Sequence, residues 1–341
     1  MMIHRSKAPL RIGLAGGGTD VSPYADLYHG AVLNATLSLY AYASIEPLRE
    51  SRIELHAVDR GQYLLLPAEP EHPADGELLL LKGVYNRIVK DFTHQPLSFR
   101  LTTYVDAPPG SGLGTSSTLV VAVVGAFAEW LKLPLGEYDI ARLAYEIERH
   151  DLGMAGGRQD QYAATFGGVN FMEFFADEKV IVNPLRIRQH YLDELENNLL
   201  LYYTATSRIS SLIIEEQRKN VIQKNTSSIE AMHQLKEQAI LMKEALLKGR
   251  IDEIGEILDF GFQHKRRMAS GISNPQLDEI YETAKKAGAT GGKISGAGGG
   301  GFMILYCPGN TRYRVMEALK VFGGSFHKYQ FVQQGLTTWS M

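Results

Sequence analysis

Two glycine-rich runs, with a few acids and cations spaced between and around them, carry most of the chemistry this sequence can offer. The first run, Asp-Ala-Pro-Pro-Gly-Ser-Gly-Leu-Gly-Thr-Ser-Ser, occupies residues 106–117. Pro108 and Pro109 stiffen its start, and Gly110, Gly112 and Gly114 let the backbone turn tightly around Ser111 and Leu113. Thr115, Ser116 and Ser117 then offer hydroxyls at a helix start, where unpaired N–H groups and the helix dipole favour an anion. A glycine-rich loop opening a helix is a common phosphate cradle. The expectation is that Pro109 through Ser117 hold the phosphates of ATP, although a bare helix cap would explain the same hydroxyls.

The second run, Lys-Ile-Ser-Gly-Ala-Gly-Gly-Gly-Gly over 293–301, leads into a strand pattern at 302–306. Four consecutive glycines entering a strand cost chain entropy that packing does not offset. Close approach to a ligand or to a neighbouring loop accounts for them. Near the N-terminus, Gly16-Gly17-Gly18-Thr19-Asp20 forms a loop that backbone can bring close to a ligand, with Thr19 and Asp20 pointing in; a plain tight turn fits equally. Gly156-Gly157-Arg158-Gln159-Asp160 opens a further segment, in which Asp160 alone reads as a first-turn acid complementing a helix dipole. Glu148 stands at the edge of the apolar stripe Ile140, Leu143, Ala144, Ile147, where a solvated flank would stand.

The elements that must position these residues follow from periodicity and punctuation. Residues 3–14 read as a strand broken by Pro9, 31–45 as one strand or two, and 52–58 as a strand turning through 59–61 into a possible hairpin. Residues 77–90 and 138–150 have helical spacing, and 118–131 is apolar nearly all round, which predicts a central buried helix. Strands are predicted at 97–105, 171–175 and 199–204, and helices at 210–220, 229–248, 251–268 and 276–287. A helix at 311–322 and an alternating strand at 326–332 close the chain. Composition shifts near 183, which divides the chain into expected domains 1–182 and 183–341.

The bulk properties narrow the partners. The 341 residues are 45% hydrophobic and 21% charged with a formal net charge of −3, ordinary values for a globular protein and without the basic excess that nucleic acid or a membrane surface would demand. A lone cysteine, Cys307, rules out an intrachain disulfide framework and suits a reducing compartment. Arg5 and Lys7 run at once into Pro9 and a glycine cluster, unlike a secretory signal, and no apolar run reaches membrane-spanning length. A cytoplasmic protein acting on a small molecule is expected.

Three stretches, in this order, resemble the signature set of the GHMP kinases (galactokinase, homoserine kinase, mevalonate kinase, phosphomevalonate kinase). Residues 108–116 are similar to the family's Pro-x-x-x-Gly-Leu-Gly-Ser-Ser motif, with Thr115 in the first Ser place; 293–301 resembles its C-terminal glycine-rich motif, and 8–20 its N-terminal substrate motif. A Walker-type P-loop and a dinucleotide-binding fingerprint are both absent. Gly16-Gly17-Gly18-Thr19-Asp20 stands where galactokinases have Gly-Glu-His-Thr-Asp, which argues against galactose, and resembles instead the bacterial sugar-1-kinases. The resemblance implies an α+β fold of two domains, an N-terminal one like domain 2 of ribosomal protein S5 and a ferredoxin-like C-terminal one, with the site between them.

By the same resemblance, Asp160 is the catalytic acid-base group, and Arg11 keeps it ionised and draws the phosphoryl group over. Ser116 and Glu148 are the implied Mg²⁺ ligands, two hard oxygens being enough for an ion that keeps waters. Gly17, Gly18, Thr19 and Asp20 would face the sugar, and 293–301 would brace the phosphate loop with Gly298 and Gly299 on the substrate side. Arg208, Lys265 and Arg266, with Arg158 as an outside candidate, would hold a phosphate already on the substrate; charge at a helix C-terminus accounts for Lys265 and Arg266 equally well. The implied substrate is D-glycero-D-manno-heptose 7-phosphate, phosphorylated at its anomeric C1 hydroxyl by ATP toward cell-surface glycan synthesis. A neutral sugar such as fucose or an N-acetylhexosamine, or a non-catalytic sugar sensor on this fold, are the other expectations, in a monomer or homodimer.

Overall fold

The computed structural model describes residues 2–206 and 210–341, so the expected phosphate ligand Arg208 lies outside the described residues. Two sheets organise the chain. The larger contains β1 (His4–Ala15), β2 (Gly30–Pro47), β3 (Arg52–Ala57), β4 (Gln62–Pro67), β5 (Phe99–Val105), β6 (Val169–Phe174) and β7 (Val180–Pro184). The smaller contains β8 (Leu199–Tyr203), β9 (Gly291–Ile294), β10 (Phe302–Tyr306) and β11 (Ser325–His327), and β12 (Thr337–Ser340) returns to the larger. The larger sheet runs β12-β1-β2-β5-β3-β4, with β6 on β2 and β7 on β6, and among the described residues only β3 and β5 pair in parallel. The smaller is antiparallel in the order β11-β8-β10-β9, its strands lying fourth, first, third, second in chain order as in a ferredoxin-like unit.

The helices of the first half are α1 (Tyr24–Tyr28), α2 (Leu79–Ile88), α3 (Thr115–Leu131), α4 (Glu137–Glu146) and α5 (Gln159–Phe166). Those of the second are α6 (Gln189–Asn198), α7 (Ser210–Ile222), α8 (Thr226–Lys248), α9 (Ile254–Lys265), α10 (Pro275–Ala287) and α11 (Arg312–Leu319). As its composition requires, α3 is buried from Ser117 through Phe127 and packs on β1 and β2. Each of its fully buried valines contributes roughly 1.5–3 kcal/mol of apolar transfer energy, so the helix that begins at the phosphate loop is anchored in the main core.

Three local departures from the sequence pattern matter for the site. Pro9 does not break β1: the pairing with β2 shifts register between Pro9 and Arg11, and such an irregularity is where a strand tolerates a residue with no N–H. The α4 pattern does not continue regularly to 150, because Ile147–Asp151 widens into a π turn that carries Glu148. At the C-terminus only Phe326 and His327 of the expected strand pair in the smaller sheet, with Ser325 just before them. The chain then crosses to the larger one, where Val332 N–H donates to Thr36 O (3.1 Å) and β12 pairs with β1. Strand β7 runs across position 182, and β12 brings the end of the chain back to the first sheet.

Candidate active site

A cavity of about 600 Å³ opens between the two sheets, walled by the 106–117 loop, the Gly16–Asp20 turn, the π turn after α4, the start of α5, and residues of α7 and α9. The loop is clamped from both sides. From β1, Arg11 N–H donates to Leu113 O (3.1 Å) and Arg11 Nη1 to Gly112 O (2.6 Å). From the second glycine run, Ser295 Oγ donates to Gly112 O (2.8 Å) and Phe302 N–H to Ser111 O (2.8 Å). Gly112 has φ +82°, and a Cβ there would stand 2.4 Å from Ser295 O, so no other residue admits this contact. Ser111 and Leu113 turn inward and are fully buried, while Gly110, Gly112, Gly114, Thr115, Ser116 and Ser117 face the cavity. Pro109 lines a smaller, more apolar cavity of about 250 Å³, which shares Thr115 and Ser116 with the first and reaches Leu78, Leu81 and Leu119.

Asp160 sits in the first turn of α5 against this loop: a Cβ on Gly114 would lie 3.2 Å from its carboxyl carbon. Arg11, nearly fully buried, grips it with Nε (2.8 Å) and Nη2 (2.7 Å), both on Oδ1. One guanidinium therefore ties the acid to the loop carbonyl, leaves Oδ2 outside its grip, and keeps Asp160 in the cavity wall. Such a paired arrangement fixes a carboxylate in place.

Glu148 is 1% exposed, and burial pushes its carboxyl up from the ordinary range, opposed by the Arg149 guanidinium 3.8 Å away. Gln161, the residue after Asp160 in the first turn of α5, donates Nε2 both to Glu148 Oε2 and to Ser117 Oγ (3.1 Å). The structure thus joins Glu148 to Ser117, while Ser116 lines the same cavity without a hydrogen bond to either. The donors here are carboxylate and hydroxyl oxygens, the hard set that Mg²⁺ takes. Among the described residues no group of three or more His, Cys, Asp or Glu could hold a metal ion alone, and a Mg²⁺ shared with nucleotide phosphates needs none.

The Gly16–Asp20 turn divides its work in a way the sequence did not reveal. Asp20 Oδ2 accepts from the N–H groups of Arg158 (3.0 Å) and Gln159 (3.1 Å), and Oδ1 from Gly18 N–H (3.2 Å). It therefore caps the helix that carries Asp160 while also lining the cavity. Burial, then the nearby Asp160 charge, raises its carboxyl above the ordinary range. Thr19 corrects the expectation of a sugar contact. It is fully buried, its hydroxyl sharing its one proton between Gly16 O (2.8 Å) and Ala31 O (2.9 Å) and accepting from Ala31 N–H (3.0 Å), so backbone groups occupy it and no face of it reaches the cavity.

The cations separate as sharply. Lys265, at the last turn of α9, is buried, lines the cavity and donates to Gly296 O; burial and Arg11 draw it down to about 8, against the pull of Asp20 and Asp160. Arg266, the next residue, points away. It pairs with Asp278 and lies over the Phe262 ring, 5.0 Å from its centroid, so it is not in the cavity wall and cannot hold a substrate phosphate there. Arg158 likewise is spent on Asp26 (2.5 Å), Ser22 (3.2 Å) and Phe175 O (2.8 Å). Gly298 and Gly299 are also displaced from their expected role: Gly298 packs on Ile272 and Gly299 N–H donates to Ile272 O (2.8 Å), so Gly296 and Ala297 supply the cavity wall.

Residues that sequence reasoning missed are Gln161, Arg149 and Gly157. Gln161 stands one position past Asp160 on the buried side of α5, a position no motif marks. Arg149 lines the cavity beside Glu148, and Gly157 gives Asp20 its space.

A two-domain kinase of small molecules is the class that this split fold, braced loop and Arg-held acid define. Residues 80–168 match the GHMP kinases N terminal domain and residues 242–323 the GHMP kinases C terminal domain. The chain belongs to the GHMP kinase family, and it is an ATP-dependent sugar kinase. A D-glycero-alpha-D-manno-heptose 7-phosphate kinase of Campylobacter jejuni is 48% identical over 98% of both chains. The crystal structure of a D-glycero-D-manno-heptose 1-phosphate kinase from Bacteroides thetaiotaomicron superposes with a TM-score of 0.84 at 46% identity, over 98% of both chains. Galactokinase of Lactococcus lactis, complexed with galactose, shares the fold at 20% identity and a TM-score of 0.79, covering 98% of this chain and 95% of its own. No helix among the described residues is long and apolar enough to cross a membrane.

Proposed function

We propose that this kinase transfers the terminal phosphoryl group of ATP to the anomeric C1 hydroxyl of D-glycero-D-manno-heptose 7-phosphate, giving the 1,7-bisphosphate. The observation that carries the transfer chemistry is Asp160, held by Arg11 at 2.7–2.8 Å against the Gly114 end of the phosphate loop. The choice of sugar is supported by the 48% identical heptose 7-phosphate kinase. A heptose that already carries a phosphate at C1 has no free hydroxyl there, so the 7-phosphate is the acceptor consistent with an anomeric kinase.

The chain's own residues account for positioning and charge, which is most of what phosphoryl transfer asks of a protein. Loop N–H groups of 110–117 and the start of α3 hold the nucleotide phosphates, and the apolar cavity beyond Pro109 suits the base. Ser116 or Ser117 with Glu148 would hold a Mg²⁺, which supplies charge neutralisation on the phosphates when bound. Asp160 accepts the proton of the C1 hydroxyl as the phosphorus–oxygen bond to that hydroxyl forms and the one to ADP breaks. An anomeric hydroxyl is more acidic than an ordinary alcohol, so a carboxylate suffices. Asp20 fixes α5 and presents its carboxyl edge to the sugar. The reaction is assigned to the cytoplasm, where ATP and a reduced Cys307 are both at home.

An ADP-release assay across heptose 7-phosphate, heptose 1-phosphate, mannose, fucose and N-acetylhexosamines tests this. Turnover is expected with heptose 7-phosphate far above the rest. Turnover confined to unphosphorylated sugars would overturn the substrate, and turnover with the 1-phosphate would overturn the position of transfer.

A further inference from the structure

Lys265 is an ammonium with most of its hydrogen-bonding capacity unspent. Of three donors, one reaches Gly296 O, and among the described residues it makes no ion pair with a carboxylate. Buried charge without a partner is costly, and a lysine so placed is most simply explained by an anionic ligand. Its charged neighbours come from every side: Arg11 on β1, Asp20 in the turn, Asp160 on α5 and Lys293 on β9. Arg11 is already paired with Asp160, and Asp20 with the N–H groups of α5. Lys293, whose Nζ donates to Gly13 O (2.9 Å), is pushed well below its ordinary pKa by burial, Lys265 and Arg11.

The position of Lys265 says which anion it awaits. Gly296, whose carbonyl it holds, abuts the phosphate loop: a Cβ on Gly296 would stand 2.8 Å from the Gly112 α-carbon. On the other side of Gly112, Arg11 donates to its carbonyl and holds Asp160. Across the turn, the ammonium lies against Gly17, where a Cβ would come within 3.6 Å of Nζ, and Lys265 itself lines the cavity. Lys265 therefore stands in the cavity wall at the seam where Gly296 meets the phosphate loop, within the electrostatic reach of Arg11 and Asp160, which is the end of the cavity where a phosphoryl group would leave the loop.

We propose that Lys265 is a catalytic residue of the transfer itself, its ammonium neutralising the oxygens of the phosphoryl group as they pass from ADP to the acceptor. The inference rests on reading the cavity as a phosphoryl-transfer site. The phosphorus–oxygen bond to ADP breaks, the bond to the acceptor oxygen forms, the acceptor's proton goes to Asp160, and Lys265 stays protonated throughout.

Lys265→Met and Lys265→Arg, each checked for folding by thermal melting, are assayed with heptose 7-phosphate and with unphosphorylated heptose. Binding of AMP-PNP and of ADP is measured without acceptor. For Lys265→Met, kcat falls roughly 10²–10³-fold on both acceptors with KM little changed, the scale of losing one preorganised charge donor. The same variant loses the preference for AMP-PNP over ADP. Lys265→Arg keeps both. In the wild type kcat/KM declines above about pH 8, as Lys265 of the unliganded enzyme loses its proton, and the arginine variant carries activity beyond that limb. A loss confined to KM for the phosphorylated acceptor would overturn the proposal and assign Lys265 to the distal phosphate. An unchanged AMP-PNP preference would overturn it as well. A wild type inactive on both acceptors would refute the substrate reading alone, because the nucleotide arm decides Lys265 without any sugar.

Discussion

Gly157→Ala is the change that most sharply probes how the acid is held. Gly157 precedes α5, and a Cβ there would stand 1.9 Å from Asp20 Oδ2 and 2.5 Å from its carboxyl carbon. Carbon and oxygen approach to about 3.3 Å in comfortable contacts, so the Asp20 carboxylate must retreat by about 1.4 Å. It cannot do so while keeping its bonds to Arg158 and Gln159 N–H at 3.0 and 3.1 Å. Losing a helix cap costs typically about 1 kcal/mol, which thermal or urea unfolding would read. The larger effect is catalytic: α5 carries Asp160 in its first turn, and a misplacement of about 1 Å can cost around 10²-fold in rate. The assay is steady-state ADP release at saturating ATP and sugar, beside AMP-PNP binding, which should be unchanged because the phosphate loop is not touched. A variant with wild-type kcat and stability would refute the claim that Asp20 positions the catalytic helix.

Arg266→Ala should leave KM for the sugar phosphate unchanged and cost at most about 1 kcal/mol of stability, since its pair with Asp278 is half-exposed; a raised KM in steady-state kinetics would return Arg266 to the site. Thr19→Val should lower unfolding stability by about 1–3 kcal/mol by removing the hydroxyl that the Ala31 N–H donates to, with KM for the sugar preserved. If urea melts were unaltered while KM rose, Thr19 would be a ligand contact after all. Glu148→Gln should raise the Mg²⁺ concentration needed for half-maximal turnover by about 10–100-fold, the scale seen when a metal's supporting shell is altered. An unchanged Mg²⁺ requirement would remove Glu148 from the metal site.

Much of this site was legible because backbone requirements leave marks in sequence. The loop at 106–117 is defined by glycines that must reach positive φ and by hydroxyls at a helix start, and the structure keeps it there. The glycines of 293–301 announced a close approach, and Ser295 and Phe302 meet Gly112 and Ser111 as that required. Side-chain direction left no such mark. Thr19 and Asp20 are adjacent, yet one is consumed by backbone and the other reaches the cavity. Lys265 and Arg266 are adjacent too, and the helical turn between them sends one inward and the other to Asp278. Gly157 reads as an ordinary loop glycine until Asp20 is seen against it, a contact across more than a hundred residues that no local pattern encodes. Pro9 marked a break that the register shift in β1 absorbs.

The account stands on Asp160 as the group that takes the acceptor's proton beside a bound nucleotide. Turnover of heptose 7-phosphate by Asp160→Asn and Asp160→Ala, followed as ADP and sugar bisphosphate released together, tests it most directly. Both variants should bind AMP-PNP as the wild type does and lose roughly 10²–10⁴-fold in kcat, the range of a general base. Full turnover by Asp160→Ala would contradict the account.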